Sequence, residues 1–256
     1  MPNRDVSLLL GRDHATFGSC TIRVSADGRT AAAISPGARP DAPSMVNKGD
    51  RRVPNEDAGL AIDHGARTLL VVADAHWGHQ ASHWVLEVIA RGFEDGVPDD
   101  PESLSERLAL LSLEPSRTRS RTTLTIGVVD RAARRGFGIQ WGDSSLVAID
   151  DSGVRRFTMP TPDYVTATTF PPPGGRRFDF ALDDDVRLVT AFTDGIDQCH
   201  YRSPSTSIGP QHIARVAKES DFDPDRFVRR LGRLALTGVD GHPGGQDNLV
   251  VLATEV

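Results

Sequence analysis

An apolar run that ends on a carboxylate stands out in the first third of the chain. Residues 69–73 read Leu-Leu-Val-Val-Ala, and the next five residues are Asp74-Ala75-His76-Trp77-Gly78. An unbroken apolar run of this length is typical of a buried strand, and a helical pattern follows the glycine. Strand ends that turn into helices present side chains from a rigid scaffold, so Asp74 is the first candidate functional residue.

Four more acidic residues lie at the ends of predicted strands. They are Glu56 and Asp57 before a strand at 58–62, Asp194 after one at 186–193, and Asp247 before one at 249–254. Acids that recur in this position indicate one shared metal centre, because Mg²⁺ and Mn²⁺ take oxygen ligands. Asp74, at the tip of the central strand, suits a bridge between two ions. The residues suited to terminal ligation are Glu56, Asp194 and Asp247.

A two-metal site of this kind would serve phosphoryl transfer to water. Two bound ions make hydroxide from water at neutral pH and neutralise a phosphoryl group during in-line attack. His76, two residues past Asp74, is placed to protonate a leaving alkoxide. An arginine near the site would bind phosphate oxygens in two-pronged fashion.

Composition and charge narrow the classes of partner. The chain has 256 residues, 38% of them hydrophobic and 25% charged, which is typical of a globular protein with a sizeable core. Its net charge is −6 and its arginine pairs are scattered, which predicts no nucleic-acid partner. Cys20 and Cys199 are too few for a disulfide framework or a thiolate metal site. Without an apolar run of transmembrane length or a signal-peptide pattern, we expect a cytoplasmic protein with no membrane partner.

The other patterns predict strands in groups and helices in pairs. Strands are predicted at 6–10, 58–62, 68–74, 122–129, 136–142, 145–149, 186–193 and 249–254, with an early hairpin around Ala26-Asp27-Gly28. Helices are predicted after Gly78, from near Pro101, and at about 208–219 and 224–236. The proline-rich residues 159–177 are predicted to form a loop within one domain, because strands of the same set continue after it. This grouping indicates α+β layers, and we expect a single domain over residues 1–256.

Six short motifs occur in order between residues 50 and 254. They are Arg52-Val53-Pro54-Asn55-Glu56-Asp57, Asp74-Ala75-His76-Trp77-Gly78, Thr122-Thr123, Trp141-Gly142-Asp143-Ser144, Thr193-Asp194-Gly195-Ile196 and Gln246-Asp247-Asn248. Each motif alone is a weak signal. As an ordered set they resemble the motifs of the metal-dependent Ser/Thr protein phosphatases of type 2C, the PPM family.

The resemblance implies both a fold and an activity. The implied fold is a four-layer αββα sandwich, in which two central antiparallel sheets pack face to face with helices outside both. The implied activity is hydrolysis of phosphoserine or phosphothreonine by a hydroxide that bridges two metal ions, without a covalent intermediate. The implied cofactors are two Mg²⁺ or Mn²⁺ ions, and the implied partner is a phosphorylated protein substrate. A cognate Ser/Thr kinase stays open as a further partner.

The resemblance also implies a ligand set. Asp74 would bridge the two ions, and Asp194 and Asp247 would complete the shell of one of them. Glu56 and the backbone carbonyl of Ala75 would complete the shell of the other. The remaining implied roles are substrate phosphate binding by Arg52, general acid catalysis by His76 and a share in a third, weaker metal site for Asp143.

Two departures from the family pattern leave alternatives open. Ala75 and Trp77 replace glycines of the family, and a turn built for glycine predicts backbone strain at Ala75. The span from Asp143 to Asp194 is short and holds no Asp-His-Ser stretch, so the flap beside the site is reduced or replaced by residues 159–177. The alternatives are a catalytically weak binding or regulatory module on the same fold, and a hydrolase of small phosphate esters.

Overall fold

A computed structural model describes residues 5–49, 52–112, 118–166, 170–201 and 203–256. Residues 167–169 of the predicted loop therefore lie outside the described chain. The strands are β1 Asp5–Leu10, β2 Thr21–Val24, β3 Thr30–Ser35, β4 Ala58–His64, β5 Arg67–Ala73, β6 Ala75–His76, β7 Arg121–Thr122, β8 Leu124–Asp130, β9 Arg135–Trp141, β10 Ser145–Ile149, β11 Val154–Arg156, β12 Val165–Thr166, β13 Arg176–Ala181, β14 Leu188–Phe192, β15 Gly238–Val239, β16 His242–Pro243 and β17 Leu249–Glu255. The helices are α1 Gln80–Gly92, α2 Pro101–Leu110, α3 Asp194–Asp197, α4 Pro210–Glu219 and α5 Pro224–Thr237.

Most strands belong to two six-stranded antiparallel sheets. The first sheet has the order β1-β4-β5-β8-β9-β13, and the second has the order β11-β10-β14-β17-β3-β2. A small third sheet, β12-β7-β6, lies beside the end of β5. The early hairpin is confirmed, because β2 and β3 pair across the turn at 26–28.

The two large sheets pack face to face. Along β5, Leu70 and Val72 point to the second sheet and share a core with Val250 and Leu252 of β17. The alternate residue Val71 packs instead with the apolar faces of α1 and α2. Since successive residues of a strand point to opposite faces, a strand covered on both sides needs an unbroken apolar run.

Helices cover the outer face of each sheet, which confirms the four-layer αββα sandwich. The pair α1 and α2 covers the first sheet, and the pair α4 and α5 covers the second. Local signals set two of the helix starts: the side chain of Asp100 accepts a hydrogen bond from the Ser103 amide (2.7 Å), and Asp223 accepts one from the Arg226 amide (2.8 Å). None of the helices in the described chain is long and apolar enough to cross a membrane.

The structure adds strands that the sequence pattern does not predict. The segment 159–177 includes β12 and the start of β13, so it is not a loop throughout. The strands β11 and β13 are edge strands with mostly exposed or half-exposed side chains. An edge strand of this kind lacks the apolar run that marks a buried strand, which explains why pattern reading missed it.

Candidate active site

The antiparallel pairing places the acidic residues together at the ends of neighbouring strands. Ala58 at the start of β4 lies opposite Ala73 at the end of β5, so Asp57 and Asp74 lie at the same end of these two strands in the first sheet. In the second sheet, Phe192 at the end of β14 lies opposite Val251, close to the start of β17. Asp194 and Asp247 therefore lie together at one end of these two strands in the second sheet.

Hydrogen bonds join these strand ends of the two sheets at one end of the sandwich. The amide of Glu56 donates to the side-chain oxygen of Asn248 (2.8 Å), and the Asn248 side-chain amide donates to the carbonyl of Pro54 (2.9 Å). The hydroxyl of Thr193 donates to the carboxylate of Asp57 (2.7 Å). Asn248 and Thr193 belong to the sequence motifs, and the structure shows that they hold acidic segments of different sheets in contact.

Two other motifs position the backbone of Asp74. The Asp74 amide donates to the Thr123 hydroxyl (3.0 Å), and the Thr123 amide donates to the Asp74 carbonyl (2.9 Å). The hydroxyls of Thr123 and Ser144 lie 2.7 Å apart. The motifs at Thr122-Thr123 and at 141–144 thus support the residue predicted to bridge two ions.

A close backbone approach explains the glycine after Asp194. A Cβ atom at Gly195 would lie 1.7 Å from the carbonyl oxygen of Asn248, which is far inside contact distance. Only glycine leaves room for this approach. The glycine at position 195 is therefore required by the contact between α3 and the segment that leads into β17.

The acidic side chains are buried close to one another. Burial raises the pKa of Asp74 well above its usual range, and the charges of Asp57 and Asp247 add to the effect. Burial followed by the charge of Asp74 likewise raises the pKa of Asp194. Burial raises the pKa of Asp57 to about 7, although Lys48 and the Thr193 hydroxyl act in the opposite direction. Buried carboxylates that repel one another are neutralised by bound protons or by a nearby positive charge.

Lys48 supplies such a charge. Its ammonium lies 3.0 Å from Oδ1 of Asp247, and the two side chains are only 9% and 12% exposed. Burial lowers the pKa of Lys48, but the carboxylates of Asp247 and Asp74 outweigh it and raise the pKa above its usual range. The sequence offered no signal for this contact, because Lys48 lies in a segment without periodicity.

The donor atoms of the site fit divalent ions in chemistry, although not in their present arrangement. In the described chain, no three of the His, Cys, Asp and Glu side chains form a group that could hold a metal ion. Yet Oε2 of Glu56 and Oδ1 of Asp57 are buried without a hydrogen-bond partner in that part of the chain. Unpartnered carboxylate oxygens are the donors that Mg²⁺ and Mn²⁺ bind. Ligation by Asp247 would require the Lys48 ammonium to move away.

The strain predicted at Ala75 lies elsewhere. Ala75 is buried in β6, and the left-handed backbone conformations fall on Trp77 (φ 61°) and Gly78 (φ 118°). The prediction of strain at Ala75 was therefore wrong. The left-handed conformation begins at the second of the two positions where the family has glycine, and the residue that adopts it is a tryptophan.

The other predicted residues have different surroundings. His76 is half-buried, and burial, followed by the charge of Lys48, lowers its pKa. Asp143 is half-buried and close enough to raise the pKa of both His76 and Asp194 by its charge. Arg52 is exposed, and its role in phosphate binding stays a prediction.

A pocket of about 330 Å³ opens at this end of the sandwich. The residues that line it are Ser44, Lys48, Glu56, His76, Trp77, Arg121, Asp194, Tyr201 and Asp247. Four of them were predicted from the sequence, and Asp74 is buried nearby. The pocket therefore combines acidic groups with a histidine, two basic side chains and two aromatic rings.

Comparisons with known proteins rest on structure alone. No protein-family model and no curated protein matches the sequence. The PPM Ser-Thr phosphatase MsPP from Mycobacterium smegmatis, solved with cacodylate, matches with 22% identity and a TM-score of 0.59 over 89% of this chain and 97% of its own. The catalytic domain of the phosphatase PstP, solved with two manganese ions, matches with 20% identity and a TM-score of 0.61 over 93% and 100%. RsbX, solved with magnesium, matches with 14% identity and a TM-score of 0.57 over 93% and 100%.

Proposed function

We propose that this chain, whose fold is that of the PPM Ser/Thr phosphatases, is a metal-dependent phosphatase acting on phosphoserine and phosphothreonine in proteins. The observation that carries the proposal is the group of buried carboxylates that both sheets contribute to one pocket beside His76. We also propose that residues 1–256 form a single phosphatase domain.

The proposed ligands are the carboxylates at the shared end of the two sheets and one backbone oxygen. They are Glu56, Asp74, the carbonyl of Ala75, Asp194 and Asp247, with Asp143 at a third, weaker site. Bound Mg²⁺ or Mn²⁺ ions would supply charge that lowers the pKa of water and neutralises phosphoryl oxygens. The manganese in the PstP structure and the magnesium in the RsbX structure support this choice of ions.

The chain's own residues have two further proposed tasks. His76 lies at the pocket beside Asp74 and donates a proton to the oxygen that leaves the phosphorus. Arg52 binds the substrate phosphate. The substrate is a phosphorylated protein, and a Ser/Thr kinase that phosphorylates the same protein is a natural counterpart.

One observation favours a second candidate function. The Lys48 ammonium pairs with Asp247 and occupies charge-stabilising contacts that a metal ion would otherwise make. A site that is neutralised by its own lysine fits a binding or regulatory module that keeps the fold without turnover.

A metal-dependent assay separates the candidates. Wild type is tested on a phosphoserine or phosphothreonine peptide and on an aryl phosphate with Mn²⁺, with Mg²⁺ and with EDTA. We expect metal-dependent turnover of both, its loss in Asp247→Asn because one charged ligand is removed, and no change in the exposed control Asp184→Asn. Absence of turnover at any metal concentration would support the binding module, and turnover of small phosphates alone would indicate a small-ester hydrolase.

A further inference from the structure

Arg121 faces the same pocket from the small third sheet. It lies directly opposite His76 in the β6–β7 pair and opposite Thr166 in the β7–β12 pair. Residues directly opposite each other in adjacent strands project from the same face of a sheet. Arg121 and His76 both line the pocket, so the sheet fixes a guanidinium beside the proposed proton donor.

Two aromatic rings hold the guanidinium of Arg121 in place. Its central carbon lies 4.4 Å from the centroid of the Trp77 ring and 4.3 Å from that of the Tyr164 ring. The Tyr164 ring also makes an edge contact with His76, with ring centroids 5.7 Å apart. A planar guanidinium that stacks on aromatic faces keeps its N–H donors at the edge of the plane, where they can reach an anion.

Within the described chain, the guanidinium of Arg121 donates no hydrogen bond to another residue. Among described residues, Arg121 forms no ion pair with a carboxylate, and its Nε is buried without a hydrogen-bond partner. The half-buried Arg67, in contrast, donates its Nε to Asp130, and Arg131 pairs with Asp63 through Nη2 although its own Nε is also unpartnered in the described chain. A buried donor without a partner is costly, which points to a partner supplied by a ligand.

Trp77 adopts its position at a cost to the backbone. It has a φ of 61°, a conformation that large side chains rarely adopt, and its side chain is 55% exposed. Such backbone strain is typical of functional sites. Because Trp77 is largely exposed, burial of its ring does little to offset this strain. The ring stacks on the guanidinium of Arg121. Trp77 therefore acts on the site as a positioning residue for Arg121.

We propose that Arg121, clamped by the rings of Trp77 and Tyr164 in the lining of the pocket, binds the phosphoryl group of the substrate; this rests on the proposed phosphatase function. The chemistry of the donor and of the pocket supports the assignment. An arginine fork matches two oxygens of a phosphate, whereas the acidic pocket wall formed by Glu56, Asp194 and Asp247 repels an anion unless cations face it. Arg121 thereby becomes a specificity-determining residue that acts beside, or in place of, the exposed Arg52.

The test measures the binding of inorganic phosphate by calorimetry, with Mg²⁺ and again with EDTA, together with KM and kcat for a phosphopeptide. Arg121→Gln should weaken phosphate binding and raise KM by about 10- to 100-fold, because charged hydrogen bonds are lost. The phosphate affinity and KM of Arg121→Lys should lie between those of wild type and Arg121→Gln, since the charge stays but the two-pronged hydrogen bonding is lost. The exposed neighbour Arg119→Gln should match wild type, and Arg52→Gln shows how the two arginines share the role.

A double-mutant cycle tests the positioning role of Trp77. Trp77→Gly relieves the backbone strain and removes the stack, so it should weaken phosphate binding in the wild-type background and have no further effect beside Arg121→Gln. Equal losses in both backgrounds would mean that Trp77 acts independently of Arg121.

The outcomes separate this inference from the proposed function. If wild type turns over phosphopeptide and Arg121→Gln leaves KM and phosphate affinity within twofold, the clamp is overturned and the phosphatase stands. If wild type shows no turnover but binds phosphate in an Arg121-dependent way, the clamp stands and the phosphatase is overturned. A wild type that neither turns over phosphopeptide nor binds phosphate overturns both.

Discussion

Lys48 places an ammonium among buried carboxylates, and a divalent ion that bound Oδ1 of Asp247 would have to displace it. The lysine is almost fully buried and its charge also acts on Asp57, Asp74 and Glu56. Replacing one cation by another keeps the acids neutralised in both states. The lysine therefore lowers the repulsion in the metal-free protein and would compete with a metal ion for Oδ1 of Asp247.

Replacing this lysine tests that competition. Lys48→Met should tighten Mn²⁺ binding by about tenfold or more, a change of about 1.4 kcal/mol, because no ion pair has to break first. Titration calorimetry of the apo protein gives the affinity directly, without an activity assay. The matched control is Lys218→Met on the exposed face of α4, which should bind Mn²⁺ as wild type does. Unchanged or weaker binding in Lys48→Met would contradict competition by the lysine.

His76 is tested by the leaving group of the substrate. His76→Ala should slow phosphopeptide hydrolysis by about 100-fold or more and aryl phosphate hydrolysis far less. The reason is that a serine alkoxide needs a proton as it leaves, whereas an aryl oxide leaves with little help. Steady-state rates on both substrates provide the measurement, and the aryl phosphate serves as the internal control. Equal losses would show that His76 does not donate the proton.

At the scale of elements, α1 carries a titratable group inside the core. His83 is fully buried on the face that packs toward the first sheet, and neither ring nitrogen has a hydrogen-bond partner in the described chain. Burial, followed by the charges of His79 and Arg12, lowers the pKa of His83 to about 3. The folded protein therefore keeps this ring neutral, whereas the unfolded chain protonates it near pH 6.5.

This difference predicts an acid-sensitive contribution to stability. Between pH 6.5 and about 3 the unfolded chain binds the extra proton, so the free energy of unfolding falls with falling pH by up to about 1.4 kcal/mol per pH unit. His83→Leu should remove that slope, so its stability relative to wild type should rise as pH falls from 7 to 5. Urea unfolding of both proteins at each pH gives the difference between their free energies of unfolding. The contribution of the acidic site is common to both proteins and cancels in this difference. The exposed His242→Leu is the control, and a parallel change there would contradict the assignment to His83.

At the scale of the whole molecule, the proposed metal ligands come from both sheets. Asp74 follows β5 of the first sheet, whereas Asp194 and Asp247 flank strands of the second. An ion held by both would link the sheets that the apolar core already joins. Ligand binding to the folded state raises stability, by about 2.7 kcal/mol at 100 times the dissociation constant.

Metal addition should therefore raise the melting temperature of wild type, and the response should depend on the acids. For a chain of this size we expect a rise of about 5–10 °C at saturating Mn²⁺. Asp194→Asn should melt at or above wild type in EDTA, because a mutual repulsion is relieved, yet gain little from Mn²⁺. Scanning calorimetry compares it with Asp184→Asn. An equal gain from Mn²⁺ in both variants would place the metal elsewhere.

Local patterns in the sequence determined most of the strands and helices. The unbroken apolar run of β5 reflects burial on both faces, since Val71 packs under helices and Val72 against the other sheet. Asp100 and Asp223 mark helix starts through contacts within three residues. The positions of Asp74 and Asp194 at strand ends followed from the same patterns, because a strand boundary is a local property.

The tertiary structure alone decided how the pocket is equipped. Lys48 meets Asp247, and Arg121 meets Trp77 and Tyr164, through contacts between loops and short strands far apart in the chain. No periodicity or cap encodes such contacts, because they depend on how the sheets and loops come together. The same holds for Asn248, which the sequence offered as part of a motif and whose hydrogen bonds join the two sheets only after folding. Strand ends could therefore be predicted residue by residue, whereas the cations that face them could not.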